Sequence, residues 1–161
     1  MPEDVPSVYT RMAHDRFSRK RWGSCVLARY TELVPNLKLD LLPDRLAICR
    51  LAPDAMIPEW AVTGAGFYSV TRAPGELSII CAEGAVPAAV KHDSGWRVFK
   101  IEGPFDFSAV GVLASVAAPL ADAAVPIVAV STFDTDYVLV KAGHVERAVL
   151  ALEGAGHQVR S

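Results

Sequence analysis

The chain has 161 residues, 52% of them apolar, which is enough to bury the core of one ordinary domain or of two small ones. Its 16 Lys and Arg residues nearly balance its 18 Asp and Glu residues, so the charge favours neither nucleic acid nor an anionic membrane as a partner. The three cysteines show no CxxC spacing, and no apolar run approaches the roughly 20 residues that span a bilayer. We therefore expect a cytoplasmic protein without a disulfide framework or a zinc site.

Residues 1–36 differ from the rest of the chain because basic side chains crowd a stretch with few acids and no sustained apolar period. We interpret this stretch as an N-terminal extension, separate from the folded part. A poorly ordered tail or a start codon assigned too far upstream is the simpler interpretation. An Arg-rich leader can also be a transit peptide or an arm that binds polyanions.

Residues 37–94 are predicted to form a first small module. Apolar residues alternate with polar ones after residue 37, and Ala73-Pro74-Gly75 has the composition of a tight turn. A short helix or loop is expected over residues 86–90. The predicted strands cover residues 37–41, 46–48, 67–71 and 76–81.

Residues 95–161 are predicted to form a second module with the order strand, helix, strand, strand, helix, strand. Asp106 or Ser108 is expected to cap its first helix, and Pro119 to kink that helix. This order predicts an α+β fold in which two helices cover one face of an antiparallel sheet. The predicted strands cover residues 96–102, 126–133, 136–141 and 157–160. The predicted inward helical stripes are Leu113, Val116, Ala117 and Leu120, then Val145, Ala148, Val149 and Leu152.

Catalytic motifs are absent from the sequence. It contains no GxSxG, HExxH, GxxxxGK[ST] or GxGxxG pattern, and its four histidines show no metal-ligand spacing, so surface or capping roles are expected for them. Cys49 and Cys81 fall in apolar strands, where a small buried thiol is commoner than a nucleophile. We therefore predict neither catalytic residues, nor a metal, nor a cofactor, and we do not expect an enzyme.

The polar stretch Ser131 to Tyr137 joins two apolar strands and is the strongest candidate for a binding site. Asp and Thr are good turn formers, and Asp134 is interpreted as a turn residue. Asp136 begins a strand, where its carboxylate could pair with a ligand ammonium group. The first helix turn after Gly111 could hold a carboxylate on its unpaired N–H groups. Together these groups would suit a free α-amino acid.

Three runs of the sequence resemble the ACT-domain family, in particular small bacterial tandem ACT proteins and their relative, the animal cytosolic arginine sensor. The runs are GWRVFKIEGP at residues 95–104, FSAVGVLASVAAPL at 107–120 and VSTFDTDYVLV at 130–140. The resemblance extends upstream through FYSVT at 67–71 and ELSII at 76–80, so it leaves only the basic extension outside. It implies two ferredoxin-like (βαββαβ) ACT modules, the first shortened, and regulatory binding of an amino acid where modules meet. It also implies a homodimer, and a regulated enzyme or transporter as a further partner.

The same resemblance implies the ligand contacts. Ala109 stands where the arginine sensor has a glutamate, and Pro126 replaces a serine, so a smaller or less basic amino acid than arginine is expected. Two alternatives stay open: a protein-protein interaction module without a small ligand, and an enzyme that uses Asp134 or Asp136 as a general base. The implied ligand-binding residues are Gly111, Pro126, Ile127, Thr132, Phe133 and Asp136.

Overall fold

The structure of the protein is a computed structural model that describes residues 36–63 and 66–160. The predictions about the N-terminal extension therefore lie outside the described residues. The strands of these ranges are β1 (Lys38–Leu41), β2 (Leu46–Leu51), β3 (Ser69–Ala73), β4 (Glu76–Ala82), β5 (His92–Ile101), β6 (Ile127–Ser131), β7 (Asp136–Lys141) and β8 (Gln158–Arg160). The helices are α1 (Val112–Asp122) and α2 (Val145–Gly154), with 3-10 turns at Glu59–Ala61, Glu83–Ala85 and Ala142–His144.

The described strands form one sheet around β5. On one side of β5, β2 pairs with its first half and β1 with its second half. On the other side, β5 pairs with β7, which in turn pairs with β6. The strand order is β3-β4-β2-β5-β1-β8, with β7 and β6 branching from β5. Together with two helices, this sheet confirms the predicted α+β class.

Strand β1 pairs with strands from the C-terminal part of the chain. It lies between β5 and β8, antiparallel to β5 and parallel to β8, so the strand that begins the predicted first module completes the sheet of the second. The predicted boundary between residues 94 and 95 falls inside β5. The physical reason is burial: Leu39 of β1 is fully buried in the core beneath the two helices, together with Phe99 and Ile101. The division of the chain into two ACT modules remains a proposal.

The helices α1 and α2 both pack on the core formed by the C-terminal half of the sheet. Helix α2 buries Ala148 and Leu152, as its predicted stripe requires. The buried face of α1 is rotated from the predicted one, because Val112 and Ser115 are buried whereas Leu113 is only partly covered. Burial of Ser115 is possible because its hydroxyl donates to the Val112 carbonyl at 2.7 Å within the helix.

The predicted capping of α1 was wrong. The helix begins at Val112 after Gly111, which has a φ of 91° and caps without a side-chain hydrogen bond. This left-handed conformation suits glycine because glycine has no Cβ. Asp106 instead accepts hydrogen bonds from the backbone N–H and the hydroxyl of Ser108, which closes a local turn before the helix.

The N-terminal half contains the predicted hairpin β3–β4, closed between Ala73 and Glu76. Over residues 36–63 and 66–91 its helical elements are 3-10 turns, so the helix considered over residues 86–90 is not formed. Cys49 and Cys81 lie 1% and 2% exposed in a core cluster of this half, as expected for structural thiols. Burial raises the pKa of the Cys49 thiol to about 12.

His157 departs from the surface role that was expected for the histidines. It is 4% exposed, and its Nε2 lies 3.1 Å from the Ser115 carbonyl oxygen, so it joins α1 to the start of β8. In the described ranges no three His, Cys, Asp or Glu side chains gather in a way that could hold a metal ion. No described helix has both the length and the apolar character to cross a membrane.

Candidate functional site

The turn between β6 and β7 is the centre of the candidate site. Ser131 and Asp136 form the last pair of the two strands, and the Thr132 N–H and hydroxyl both donate to the Thr135 carbonyl at 2.8 Å. Thr135 is buried, and its hydroxyl donates to the Ile101 carbonyl at the end of β5. These bonds attach the polar turn to the centre of the sheet, so its side chains have a defined position.

The segment that leaves β5 packs directly on this turn. The Phe105 N–H donates to the Asp134 carbonyl at 2.9 Å, and the peptide bond between Gly103 and Pro104 is cis. A Cβ atom at Gly103 would lie 2.5 Å from the Asp134 carbonyl oxygen and 3.1 Å from the Thr135 Cβ. Only glycine fits at this approach without a shift of the backbone.

A concave pocket of about 220 Å³ lies between the turn and the segment that leads into α1. Of the predicted site residues, Thr132, Phe133 and Asp136 line it, and Val112 of its lining directly follows Gly111. The stretch before α1 and the hairpin thus line one cavity. The full lining is Phe105, Asp106, Phe107, Ala109, Val112 and the six residues Ser131 to Asp136.

Pro126 and Ile127 do not reach this pocket. Ile127 begins β6 and Pro126 precedes it, so they lie roughly 13 and 17 Å along the chain from Ser131 at about 3.3 Å per residue. Pro126 is exposed and Ile127 is half-buried. The role that the resemblance implies for them concerns a neighbouring module.

Two exposed aromatic rings stand at the edge of the pocket. Phe107 and Phe133 pack edge to face with their centroids 5.1 Å apart, and they are 79% and 78% exposed. Sequence reasoning missed Phe107 as a site residue. Its signal was a large aromatic side chain in a turn that offers no core position, next to Asp106.

The electrostatics of the pocket combine three carboxylates with a helix terminus. Asp106, Asp134 and Asp136 line it, and none of its lining residues is Lys or Arg. Asp136 accepts a hydrogen bond from the Ser131 hydroxyl. Opposite charge is available from the first turn of α1, whose N–H groups lack a side-chain cap. The pocket is therefore acidic, and Val112 at the start of α1 forms part of its lining.

Asp106 is held ionised by its local hydrogen bonds. The Ser108 hydroxyl and backbone N–H both donate to its carboxylate and lower its pKa below the ordinary value of 3.8. The stability that these bonds contribute is therefore present above pH 3.8 and is lost as the pH falls through the folded-state pKa.

We predict that Ser108→Ala raises the pKa of Asp106 toward 3.8, as measured by NMR titration of the carboxyl carbon. Ser69→Ala, on the distant strand β3, should leave this pKa unchanged, and an equal pKa in the wild type and Ser108→Ala would contradict the assignment.

Two family models match stretches of this chain. The model of the ACT domain matches residues 91–154, and a second family model, for an N-terminal domain, matches residues 44–89. None of the curated proteins matches the chain.

Solved structures give a consistent result. Protein Atu0741 from Agobacterium tumefaciens is 41% identical, with a TM-score of 0.74 over 79% of this chain and 94% of that one. A protein of unknown function from Vibrio cholerae, 15% identical, has a TM-score of 0.65 over 81% of this chain and 98% of that one. The regulatory subunit of aspartate kinase from Thermus thermophilus, also 15% identical, has a TM-score of 0.53 over 73% of this chain and 96% of that one. The last two proteins resemble this chain in fold alone, whereas Atu0741 also resembles it in sequence. The chain is therefore an ACT-domain protein of the same family as Atu0741 from Agobacterium tumefaciens.

Proposed function

We propose that this protein is a non-catalytic regulatory module of the cytoplasm that binds a small ligand, an amino acid, in the pocket beside the β6–β7 turn. The observation that carries the proposal is the composition of this pocket. Carboxylates, an uncapped helix N-terminus and an exposed aromatic pair meet in one cavity of an ACT domain. The solved regulatory subunit of aspartate kinase shares this fold and is consistent with a regulatory role.

Each part of an α-amino acid has a partner in this pocket. Its ammonium group pairs with Asp136, which lines the pocket from the first position of β7. Its carboxylate accepts hydrogen bonds from the first-turn N–H groups that follow Gly111. Its side chain lies against the rings of Phe107 and Phe133. A volume of about 220 Å³ suits a small metabolite rather than a larger cofactor.

A homodimer would complete the site. Within the described residues β6 pairs with β7 alone, so its other edge offers unpaired N–H and C=O groups to a second chain. In this proposal the partner brings Pro126 and Ile127 of its own edge to the open side of the pocket. The exposed rings of Phe107 and Phe133 would then be covered. Analytical ultracentrifugation of the full chain tests this assembly, and a monomer at micromolar concentration, with and without ligand, would exclude it.

Binding of the ligand ammonium by Asp136 gives a direct test. Because Asp136→Asn removes the charge and keeps the shape, we expect it to weaken binding by about 1.5–3 kcal/mol. Isothermal titration calorimetry against the twenty amino acids provides the measurement. Asp122→Asn, an exposed aspartate at the end of α1, is the matched control and should bind as the wild type does. No heat with any amino acid would refute the proposed ligand class.

The same titration tests a finer expectation about the ligand. Ala109 lines the pocket, where the resemblance to the arginine sensor implied a smaller or less basic ligand than arginine. The preference for such an amino acid, and the kinship with the arginine sensor, remain proposals. Tightest binding of arginine would contradict the first of them.

A protein-protein interaction module without a small ligand is the alternative function. The exposed aromatic pair and the unpaired edge of β6 favour it, because both features are common at docking surfaces. A regulated enzyme or transporter would then bind directly to this surface. Pull-down with the wild type and with Phe133→Ser, followed by identification of the retained protein, separates the two functions.

A further inference from the structure

A second pocket, of about 280 Å³, lies on the other side of the β6–β7 turn. Thr132, Asp134 and Thr135 line both pockets and form the wall between them. The second pocket also contains Lys100 and Tyr137. These two residues face away from the helices, because their strand neighbours Phe99 and Val138 belong to the helix-covered core.

Lys100 and Tyr137 form a cross-strand pair between β5 and β7. Such partners have Cβ atoms about 4.5–5.5 Å apart, so their polar ends can reach a common ligand. The Tyr137 ring packs on Phe67 with a centroid distance of 4.5 Å, which restricts its motion. Both Lys100 and Tyr137 are half-buried, at the wall of the cavity rather than in open solvent.

Lys100 forms no ion pair in the described part of the chain, because the carboxylate of Asp40, its cross-strand partner on β1, is bound by Arg160. The neighbouring Lys38 differs, since its ammonium lies 3.4 Å from the Glu102 carboxylate. The Thr132 and Thr135 hydroxyls already donate to the carbonyls of Thr135 and Ile101. The remaining side-chain donors of the lining are the Lys100 ammonium and the Tyr137 hydroxyl. Two donors, one of them cationic, match the two oxygens of a carboxylate.

We infer that this second pocket binds a small monocarboxylate, held by Lys100 and Tyr137. Asp134 is the one acidic residue of the lining and disfavours a dianion such as phosphate. The inference does not rest on the amino-acid site, because Asp136 and the helix terminus are not part of this lining. Its function would be to let a second metabolite change the affinity of the first pocket through the shared wall. Such a coupling is reciprocal, so a ligand in the first pocket would change acetate affinity by the same factor.

Sodium acetate is the probe for this pocket, titrated into the ¹⁵N-labelled full chain at constant ionic strength and followed by NMR. We expect saturable shifts at the amides of Lys100 and Gly103, which line this pocket and not the first one. Lys100→Met should weaken acetate binding about tenfold or more, because a charge-assisted bond is lost. Lys100→Arg should bind within about threefold of the wild type, since it keeps the charge. Tyr137→Phe keeps the contact with Phe67 and should weaken binding by about fivefold.

Controls separate this site from general effects. Lys91→Met removes an exposed lysine outside the pocket and should leave the acetate titration unchanged. Asp122→Asn removes an exposed carboxylate outside both pockets and should also leave the titration unchanged. Acetamide, a neutral molecule of the same shape, should cause no saturable shift. Acetate binding in Lys100→Met equal to the wild type, equal binding of acetamide, or tighter binding of phosphate than of acetate would overturn the inference.

Discussion

Replacing Leu152 with alanine is expected to lower the free energy of unfolding by about 2–5 kcal/mol. Leu152 is fully buried on the inner face of α2, where it packs in the core with Phe99 and Leu120. Removing its branched end leaves a cavity between α2 and the sheet, because the fully buried neighbours cannot close in on it without strain. Urea unfolding followed by circular dichroism measures the loss.

The same helix provides a matched control. Leu150 also lies in α2, only two residues away, and it is 71% exposed. Leu150→Ala makes the same chemical change in the same helix and should alter stability by less than about 0.5 kcal/mol. Equal effects of the two substitutions would mean that α2 packs on the sheet through a different face.

Gly103→Ala is expected to have the second-largest effect, at the upper end of the roughly 1–3 kcal/mol that overpacking costs. The added Cβ would lie 2.5 Å from a backbone oxygen of Asp134, which cannot rotate aside as a flexible side chain could. Either β5 or the β6–β7 turn must move. Because the turn lines both pockets, we expect amino-acid and acetate affinities to fall together in this variant.

Gly84→Ala is the control for this substitution. No heavy atom lies within 4 Å of a Cβ built at Gly84, so the variant should differ from the wild type by less than about 1 kcal/mol. Urea unfolding gives the stability, and calorimetry gives the affinity for the amino acid. Wild-type stability and affinity in Gly103→Ala would show that the turn is not held against residue 103.

Local chemistry made most of the strands and helices predictable. The alternation of apolar residues located β1, and Pro74-Gly75 located the β3–β4 hairpin. The face of α2 followed from an apolar stripe that continues to Leu152. The start of α1 was less predictable. Aspartate is a residue type that often caps helices, so the sequence favoured Asp106. The geometry shows that Asp106 closes an earlier turn and that Gly111 precedes the helix.

The candidate site was predictable in its centre but not at its edges. Polar residues interrupt two apolar strands here, which singled out Thr132, Thr135 and Asp136, and all three line the pocket. Phe133 was implied by the resemblance to the ACT family. The contact of Phe107 with the Phe133 ring and the hydrogen bond of Thr135 to the Ile101 carbonyl could not be predicted in either way. Such contacts join residues far apart in sequence, and periodicity carries no information about them.

Local propensity and short connections specify the α+β class and the hairpin of Ser131 to Tyr137, so both could be predicted from the sequence. The position of β1 between β5 and β8, and the two pockets of different charge beside the turn, depend on tertiary contacts. An amphipathic strand such as β1 can pair with any open edge, and burial of Leu39 beneath the helices selects one.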